Sequence, residues 1–406
     1  MATIVQKFGG TSVGSLERIE AVAEQIIATK GQGHDIIVVL SAMSGETNRL
    51  MSLANAIDEQ PSPRELDMLL SSGEQVSISL LAMALIKRGH SAVSLLAHQI
   101  GLKTNNRFNK ARIQDIDNYR IIKELQQGHI VIVAGFQGVD EEGNITTLGR
   151  GGSDTSAVAI ATSVNAKECQ IYTDVDGVYT TDPRIDESAK KHSHIGFDEM
   201  LEMASSGAKV LQSRSVEFAR NHNMPLRVLS SFSKGTGTRI DFEQQKDKKH
   251  PVSAITADNN QALIKIEKIK PNNHFSVAIL NELAKADIEI DMLSQLAGSD
   301  GALSIYFSVN EVDYQQSLAL SMAVANNYGH DSVIGQQDLV KVSAIGNGMK
   351  SHSGVAATLV QTLNNENIKI ELIYAAEIKI AVLVSNKLME QSVTKLHKIF
   401  NLNSIN

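Results

Sequence analysis

Thr3-Ile-Val-Gln-Lys-Phe-Gly-Gly-Thr-Ser12 opens the chain with a β-branched run that ends in a lysine, two glycines and two hydroxyl residues. Ser15 to Lys30 follows with helical spacing, and Ile36 to Leu40 is an unbroken apolar run. The three segments read as a strand, a crossover helix and a parallel strand. The same alternation continues to about residue 240, with further strands at Ala92 to Leu95, Ile130 to Ala134 and Gln170 to Thr173. Helices are predicted over Gly73 to Arg88, Ile113 to Gln127 and Thr155 to Val164. The first half is therefore expected to be a layered α/β domain on a mostly parallel sheet.

The whole chain has 406 residues, enough for two or three domains of about 150 residues each. Its 45 acidic residues outnumber 38 basic ones, so a polycationic footprint for nucleic acid is missing. A hydrophobic share of 42% argues against wholesale disorder, and the absence of Trp points to a core of Val, Ile, Leu, Ala and Met. Cys169 is the single cysteine, which excludes an intrachain disulfide and reads as inert packing in a reducing compartment. The first residues carry no basic and apolar leader pattern, and no apolar run approaches the 18 or so residues of a membrane span. A cytoplasmic protein with no membrane partner is the expectation.

Glu243-Gln-Gln-Lys-Asp-Lys-Lys-His-Pro251 contains almost nothing to bury and reads as linker. Beyond it, Phe275, Ile279, Leu280, Leu283 and Ile288-Glu-Ile-Asp291 recur 80 residues later as Val355, Leu359, Val360, Leu363 and Ile368-Lys-Ile-Glu371. In each copy a strand precedes the helix and another follows, at Leu303 to Val309 and Ile378 to Val384. The expected division is 1–242 for the α/β domain, 243–260 for the linker, and 261–335 and 336–406 for two small repeated modules. Units of that size are hard to stabilise singly, so they are expected to pair with each other or with a second chain.

Three glycine-bearing loops carry candidate chemistry. In Lys7-Phe-Gly-Gly-Thr-Ser12, backbone N–H groups, a helix start and the Lys7 charge suit an anion. The alternative is a plain strand-to-helix turn with a solvated lysine. Gly149-Arg-Gly-Gly-Ser-Asp-Thr-Ser156 offers Arg150 for bidentate capture of a carboxylate or phosphate, with Gly151, Gly152, Ser153 and Asp154 entering a helix. Ser153 or Asp154 could equally serve as a mere N-cap. Tyr172-Thr-Asp-Val-Asp-Gly-Val-Tyr-Thr-Thr-Asp-Pro-Arg184 crowds acids, hydroxyls and an arginine after a strand, where loops commonly frame a nucleotide. Asp-Gly and Asp-Pro taken singly are ordinary turn pairs. Lys209, in Ser206-Gly-Ala-Lys-Val210, falls at a predicted helix interruption, and Glu74 at a helix start that favours a carboxylate in any case. Ser41 and Thr47 follow an apolar strand, where ligands of open α/β sheets sit. His192 and His194 read as solvated loop histidines. Neither a Gly-Lys dipeptide nor a G-x-G-x-x-G/A fingerprint is present, which excludes a Walker A site and weakens a dinucleotide reading.

In order and spacing these segments resemble the aspartate kinases, members of the amino acid kinase family. The likeness is carried by Lys7-Phe-Gly-Gly-Thr-Ser-Val13, Ser41-Ala-Met-Ser-Gly45, Gly73-Glu-Gln-Val-Ser77, Gly135-Phe-Gln-Gly138, Thr147-Leu-Gly-Arg-Gly-Gly-Ser-Asp-Thr155, Thr173-Asp-Val-Asp-Gly-Val-Tyr179 and Asp182-Pro-Arg184. The tandem repeat resembles the paired ACT domains of that family, with Gly348-Met-Lys-Ser-His-Ser-Gly-Val-Ala356 and Glu377-Ile-Lys-Ile380 matching the second. The resemblance implies an α/β/α catalytic domain followed by two α+β, ferredoxin-like ACT domains. It implies transfer of the γ-phosphoryl group of Mg-ATP to the β-carboxylate of L-aspartate, the entry to lysine, threonine and methionine synthesis, with Mg2+ carried by ATP. Carried over residue by residue, Lys7 and Asp154 are the catalytic pair. Ser41, Thr47, Glu74, Arg150, Gly151, Gly152 and Ser153 hold aspartate. Lys7, Phe8, Gly9, Gly10, Ser12, Thr173, Asp174, Tyr179, Asp182, Arg184, Lys209 and Val210 hold ATP.

An amino acid effector, lysine or threonine, is implied at Asp291, Gln295, Asn347, Met349, Ser353, Val355 and Glu377. Several positions depart from the family pattern. Phe275 replaces a glycine in Pro271-Asn-Asn-His-Phe-Ser276, while Gly301-Ala-Leu-Ser304 and Tyr374-Ala-Ala-Glu377 lose hydroxyls and a carboxylate that could bind an effector. Some relatives make a separate small subunit from an internal start. No Met lies between Met224 and Met292, so a homo-oligomer joined through the ACT modules is the preferred expectation, with a non-Met start as the route to a small subunit. The rivals are a sister kinase for glutamate, N-acetylglutamate, carbamate or a nucleotide monophosphate, and a catalytically silent amino acid sensor. Glu74 and Arg150 suit both charged ends of a free amino acid, and Lys7, Arg150 and Asp154 together speak against a silent sensor.

Overall fold

The computed structural model describes residues 2–242, 250–269, 274–298, 302–329, 332–347, 349, 352 and 354–404. In the first half the strands are β1 (Thr3–Phe8), β2 (Asp35–Leu40), β3 (Ala92–Leu95), β4 (Leu102–Thr104), β5 (Ile113–Ile116), β6 (Ile130–Ala134), β7 (Gln137–Val139), β8 (Ile145–Thr147), β9 (Glu168–Thr173), β10 (His194–Gly196), β11 (Leu226–Ser230) and β12 (Thr238–Asp241). The helices between them are α1 (Leu16–Lys30), α2 (Glu46–Ile57), α3 (Pro63–Leu70), α4 (Ser72–Lys87), α5 (Tyr119–Gln126), α6 (Gly152–Ser163), α7 (Phe197–Ser205) and α8 (Ser213–Asn221).

One eight-stranded sheet, in the order β10-β12-β11-β9-β1-β2-β6-β3, organises this half. Its central strands are parallel, and β2 shows why. Ile37 and Val39 point into one core cluster while Ile36, Val38 and Leu40 point into the other, so both faces of the strand are buried under helices. A strand apolar on both sides is stable only between two helical layers. Each such side chain contributes roughly 1.5–3 kcal/mol. The predicted helix over Ile113 to Gln127 is corrected: its first residues form β5 in a small sheet of order β5-β4-β7-β8, and only Tyr119–Gln126 is helical. Ile113 pairs with Thr104 and Ile116 with Leu102, so sheet pairing wins over local helical spacing. Pro63–Lys87, which covers α3 and α4, is long and apolar enough by composition to cross a membrane, yet 56% of its most apolar window is buried inside the protein. Leu66, Leu70, Ile78, Leu81 and Leu85 face the core, as a core helix of this fold requires.

The second half is a six-stranded antiparallel sheet of order β14-β15-β13-β16-β18-β17. Its strands are β13 (Ala254–Ile269), β14 (Ile290–Ala297), β15 (Leu303–Asn310), β16 (Val333–Ile345), β17 (Leu372–Ala375) and β18 (Lys379–Ser385), with α9 (Phe275–Lys285), α10 (Tyr314–Asn327), α11 (Gly354–Asn365) and α12 (Met389–Ile399) packed on it. The two repeats are nested rather than consecutive, which corrects the expected linker over 243–260. Residues 243–249 lie outside the described residues, and residues 254–260 belong to β13. The first half of β13 pairs with the end of β16, Ala254 opposite Ile345 and Asp258 opposite Lys341. Val252 and Ile255 join the core of the second module, with Val340, Val342, Leu359 and Leu363. The second half of β13 belongs to the first module, whose core holds Ala262, Ile264, Phe275, Ile279 and Phe307.

Candidate functional site

The loops that leave β1, β2, β6 and β9 gather at the carboxyl ends of the parallel strands, where open α/β sheets bind ligands. Lys7, the penultimate residue of β1, is nearly buried, and its Nζ lies 2.6 Å from Oδ1 of Asp154 in the first turn of α6. Two loops far apart in sequence thus deliver one buried ion pair. Gly9 follows, and a Cβ there would sit 3.6 Å from the Lys7 ammonium, so the missing side chain keeps space in front of that charge.

Glu74 lies in the first turn of α4 and is 3% exposed. Its Oε1 accepts the Ala42 N–H at 3.0 Å, while Oε2 is buried with no hydrogen-bond partner among the described residues. Burial pushes this carboxyl up to about 8, against the pull of the Ala42 hydrogen bond. Ser41 is held by its backbone: its N–H donates to Phe8 O (3.2 Å), and its own carbonyl accepts from Ser77 Oγ (2.8 Å). Thr47 is half-buried in the first turn of α2. Ser153 backs onto Gly135 at the end of β6, and Arg150 projects into solvent beside Gly151, whose φ of 69° forms the left-handed cap of α6.

Among the nucleotide-side candidates, Asp182 is in electrostatic reach of Arg184 and Lys209, and Arg184 of Asp174. Arg184 is 86% exposed and forks to Asp182, with N–O distances down to 2.7 Å, so it answers a carboxylate of its own loop. That fork holds the Asp182 carboxyl below the usual range, and Lys209 adds to the effect. Asp174 is exposed, accepts from Thr173 Oγ1 (3.0 Å) and acts on Arg184. Burial raises the Tyr179 phenol to about 12, and its hydroxyl donates to Asp176 (2.8 Å). Val210 is half-buried against the main core.

Several sequence expectations are corrected. Phe8 is fully buried and stacks on Tyr172 with ring centroids 4.5 Å apart, which leaves only its backbone beside the cleft. The Ser12 hydroxyl is buried and donates to Ser231 Oγ (2.9 Å), which in turn donates to Thr173 O (3.1 Å); it ties two loops together. His192 and His194 are not solvated: His192 is buried and His194 Nε2 meets Asp241 at 2.7 Å. Cys169 is buried and its thiol is pushed up by burial, in keeping with inert packing.

Among the effector candidates, Met349 and Val355 are packed into the core of the second module, Val355 from the buried face of α11. Asp291 is ion-paired with Lys341, Gln295 accepts from Ser276 Oγ (2.6 Å) and Asn347 donates its N–H to Glu199 (3.2 Å). Glu377 is exposed and Ser353 lies outside the described residues, as do 271–273 and Gly301 of the departing segments.

Asp67 escaped the sequence reading. It is fully buried in α3 and takes the Asn109 N–H (2.9 Å), the Thr147 N–H (2.8 Å) and the Thr147 hydroxyl (2.6 Å). This carboxylate pins the strand end that leads to Arg150. An acid in Pro63-Arg-Glu-Leu-Asp67 looks like helix surface, and only the apolar neighbours at Leu66 and Leu70 hint otherwise.

A family model described as the amino acid kinase family matches residues 2–230, more than half of the chain. An ACT domain model matches residues 342–400. An aspartate kinase of Stutzerimonas stutzeri is 50% identical over 405 residues, covering 100% of this chain and 98% of the relative. The chain belongs to the aspartate kinases of the amino acid kinase family. The aspartokinase of Pseudomonas aeruginosa is likewise 50% identical over 406 residues, with the same coverage. Among solved structures, E. coli aspartokinase III in complex with aspartate and ADP superposes with a TM-score of 0.83 at 27% identity, over 98% of this chain and 99% of that one. The same relative in complex with lysine and aspartate gives 0.78. The likeness to that structure spans both halves of the chain described above.

Proposed function

We propose that this chain phosphorylates the β-carboxylate of L-aspartate with ATP, using the residues at the carboxyl ends of β1, β2, β6 and β9. The observation that carries the reading is the pairing of two buried features. The Lys7–Asp154 ion pair offers a fixed cation beside an open glycine turn, and Glu74 keeps one oxygen without a partner among the described residues. A buried carboxylate with an unmet oxygen is costly, and a substrate ammonium would meet it.

A carboxylate nucleophile is already ionised at neutral pH and needs no general base; the obstacle is bringing one anion against another. Lys7 is positioned by Asp154 to neutralise the transferring phosphoryl group, and the Gly9 and Gly10 backbone lines the anion turn. Arg150 is assigned to the α-carboxylate and Glu74 to the ammonium, with Ser41, Thr47 and the Gly151–Ser153 helix start at the same end. Thr173, Asp174, Tyr179, Asp182, Arg184, Lys209 and Val210 are assigned to the nucleotide side, where Lys209 and Arg184 supply cations and Asp182 holds Arg184. Mg2+ would enter with the triphosphate and offset its charge, and the exposed Asp174 is an oxygen donor of the kind this hard cation takes.

The reaction draws on ATP and a free amino acid, which fits the cytoplasm. The outer strands β14 and β17 expose Leu293, Leu296, Ile373 and Tyr374, and this supports assembly of two copies through the regulatory sheets. The engaged state of Asp291 and the burial of Met349 and Val355 support a weak response to lysine or threonine.

The test is ATP-dependent phosphorylation of L-aspartate by the purified protein, trapped as the hydroxamate, with and without lysine and threonine. Product from aspartate and none from glutamate is expected. Turnover of glutamate, N-acetylglutamate or carbamate in its place would move the chain to a sister kinase, and no turnover at all would leave only the sensor reading.

A further inference from the structure

The regulatory sheet meets the catalytic half along α7. In the first turn of that helix Glu199, fully buried, accepts Ser253 Oγ (3.0 Å) and the Asn347 N–H (3.2 Å). Nearer its end Glu202 pairs with Lys379 at 2.8 Å. Its last residue, Ser205, presents its carbonyl 3.5 Å from Nζ of Lys341.

Lys341 is 1% exposed. It stands on β16 directly opposite Asp258 of β13, 3.5 Å from that carboxylate, and is ion-paired with Asp291 of β14. A buried ammonium survives only with such compensation, and losing one partner of the set is far costlier than losing a surface pair. A cation at a helix C-terminus also answers the unpaired carbonyls and the negative end of the dipole.

Beyond Ser205 the chain turns through Ser206–Val210. Gly207 has φ of 104°, and a Cβ there would lie 2.3 Å from Ala257 O. This loop is therefore pressed against the regulatory strand at the residue preceding Asp258. It carries Lys209, whose charge acts on Asp258 on one side and Asp182 on the other.

The geometry points to Lys341 as a positioning residue for nucleotide binding: it fixes the end of α7 and, through Asp258 and the 206–210 loop, the place of Lys209. This rests on the assignment of Lys209 to the nucleotide side. Lys341 lies on the regulatory sheet, so the ATP affinity of the catalytic half is set in part by a residue outside it.

The experiment is an initial-rate determination of KM for ATP, KM for aspartate and kcat in the full chain, for the wild type, Lys209→Ala, Lys341→Met and the double variant. Lys341→Met is expected to raise KM for ATP about fivefold or more while kcat and KM for aspartate change less than about twofold. The double variant is expected to match Lys209→Ala to within about twofold, because both changes act through one loop. Multiplying effects, or an unchanged KM for ATP in Lys341→Met beside a raised one in Lys209→Ala, would overturn the inference and leave the Lys209 assignment standing. An unchanged KM for ATP in Lys209→Ala would instead remove that assignment, and the inference with it. Should Lys341→Met fail to fold, the near-isosteric Asp258→Asn serves: a smaller rise in KM for ATP alone supports the inference, and no rise overturns it.

Discussion

At the scale of single residues, Lys7 and Glu74 carry the sharpest expectations. Lys7→Ala removes the cation that Asp154 holds and should lower kcat by about 10² or more, in line with the loss of one preorganised charge-stabilising group. Leaving Asp154 buried without its cation should also lower the thermal midpoint, while circular dichroism still shows a folded protein; retention of most of the activity would sink the assignment. Glu74 has a pH signature. Its carboxyl is raised to about 8, so in the unliganded protein at neutral pH it is mostly protonated. A raised carboxyl stabilises the fold below the unfolded value of 4.5, and that contribution is lost as pH rises through about 8. An arriving ammonium favours the ionised form, so aspartate binding should release a proton near neutral pH. Apparent aspartate affinity should improve by about tenfold per pH unit at most as pH rises toward 8. Calorimetry in buffers of different ionisation enthalpy reads the proton directly, and Glu74→Gln should abolish both the release and the slope.

At the scale of elements, the substrate end depends on how α3 grips the loops before α6. Asp67→Ala would strand the Asn109 and Thr147 donors, at ~1–3 kcal/mol for each group left unsatisfied. A drop of about 2 kcal/mol or more in chemical denaturation, with a raised KM for aspartate and an unaltered KM for ATP, is expected. The major strands were legible from sequence because each is apolar on both faces, as in Ile36 to Leu40. β5 was not, since Ile113 and Ile116 stand at a helical spacing and only pairing with Thr104 and Leu102 makes the segment a strand. Lys341 was equally hidden. In Leu339-Val-Lys-Val342 it alternates with core residues and reads as facing solvent, but that face is closed by α7.

At the scale of the whole molecule, the two halves share a buried polar seam that should respond to acid. His397 of α12 joins Thr180 Oγ1 at 2.8 Å, beside the nucleotide-side Tyr179, and faces Asp186 at 3.3 Å. Burial lowers its ionisation below the usual 6.5, against the pull of Asp186. A lowered histidine contributes stability that is present above 6.5 and lost as pH falls through its folded value. The thermal midpoint of the wild type should therefore fall more steeply between about pH 6.5 and 5 than that of His397→Gln, which has no such proton to take up. Equal slopes would refute the seam as an acid-sensitive joint. The motifs of the catalytic cleft could be read in order from the sequence, because each is a local turn chemistry. Their partners could not, since Asp67, Ser231 and Lys341 acquire meaning only from contacts across 42 residues or more.

The nesting of the two regulatory modules bears on how the chain is made. The strand beginning at Ala254 leaves the ribosome well before Lys341 to Ile345, the segment it must pair with, and the entire first module is synthesised in between. Until then Val252 and Ile255 have no module to enter. The module closest to the catalytic half is thus the last to close, and a chain cut short after the first module would lose the later one and also leave an uncovered apolar strand attached to an otherwise finished kinase domain.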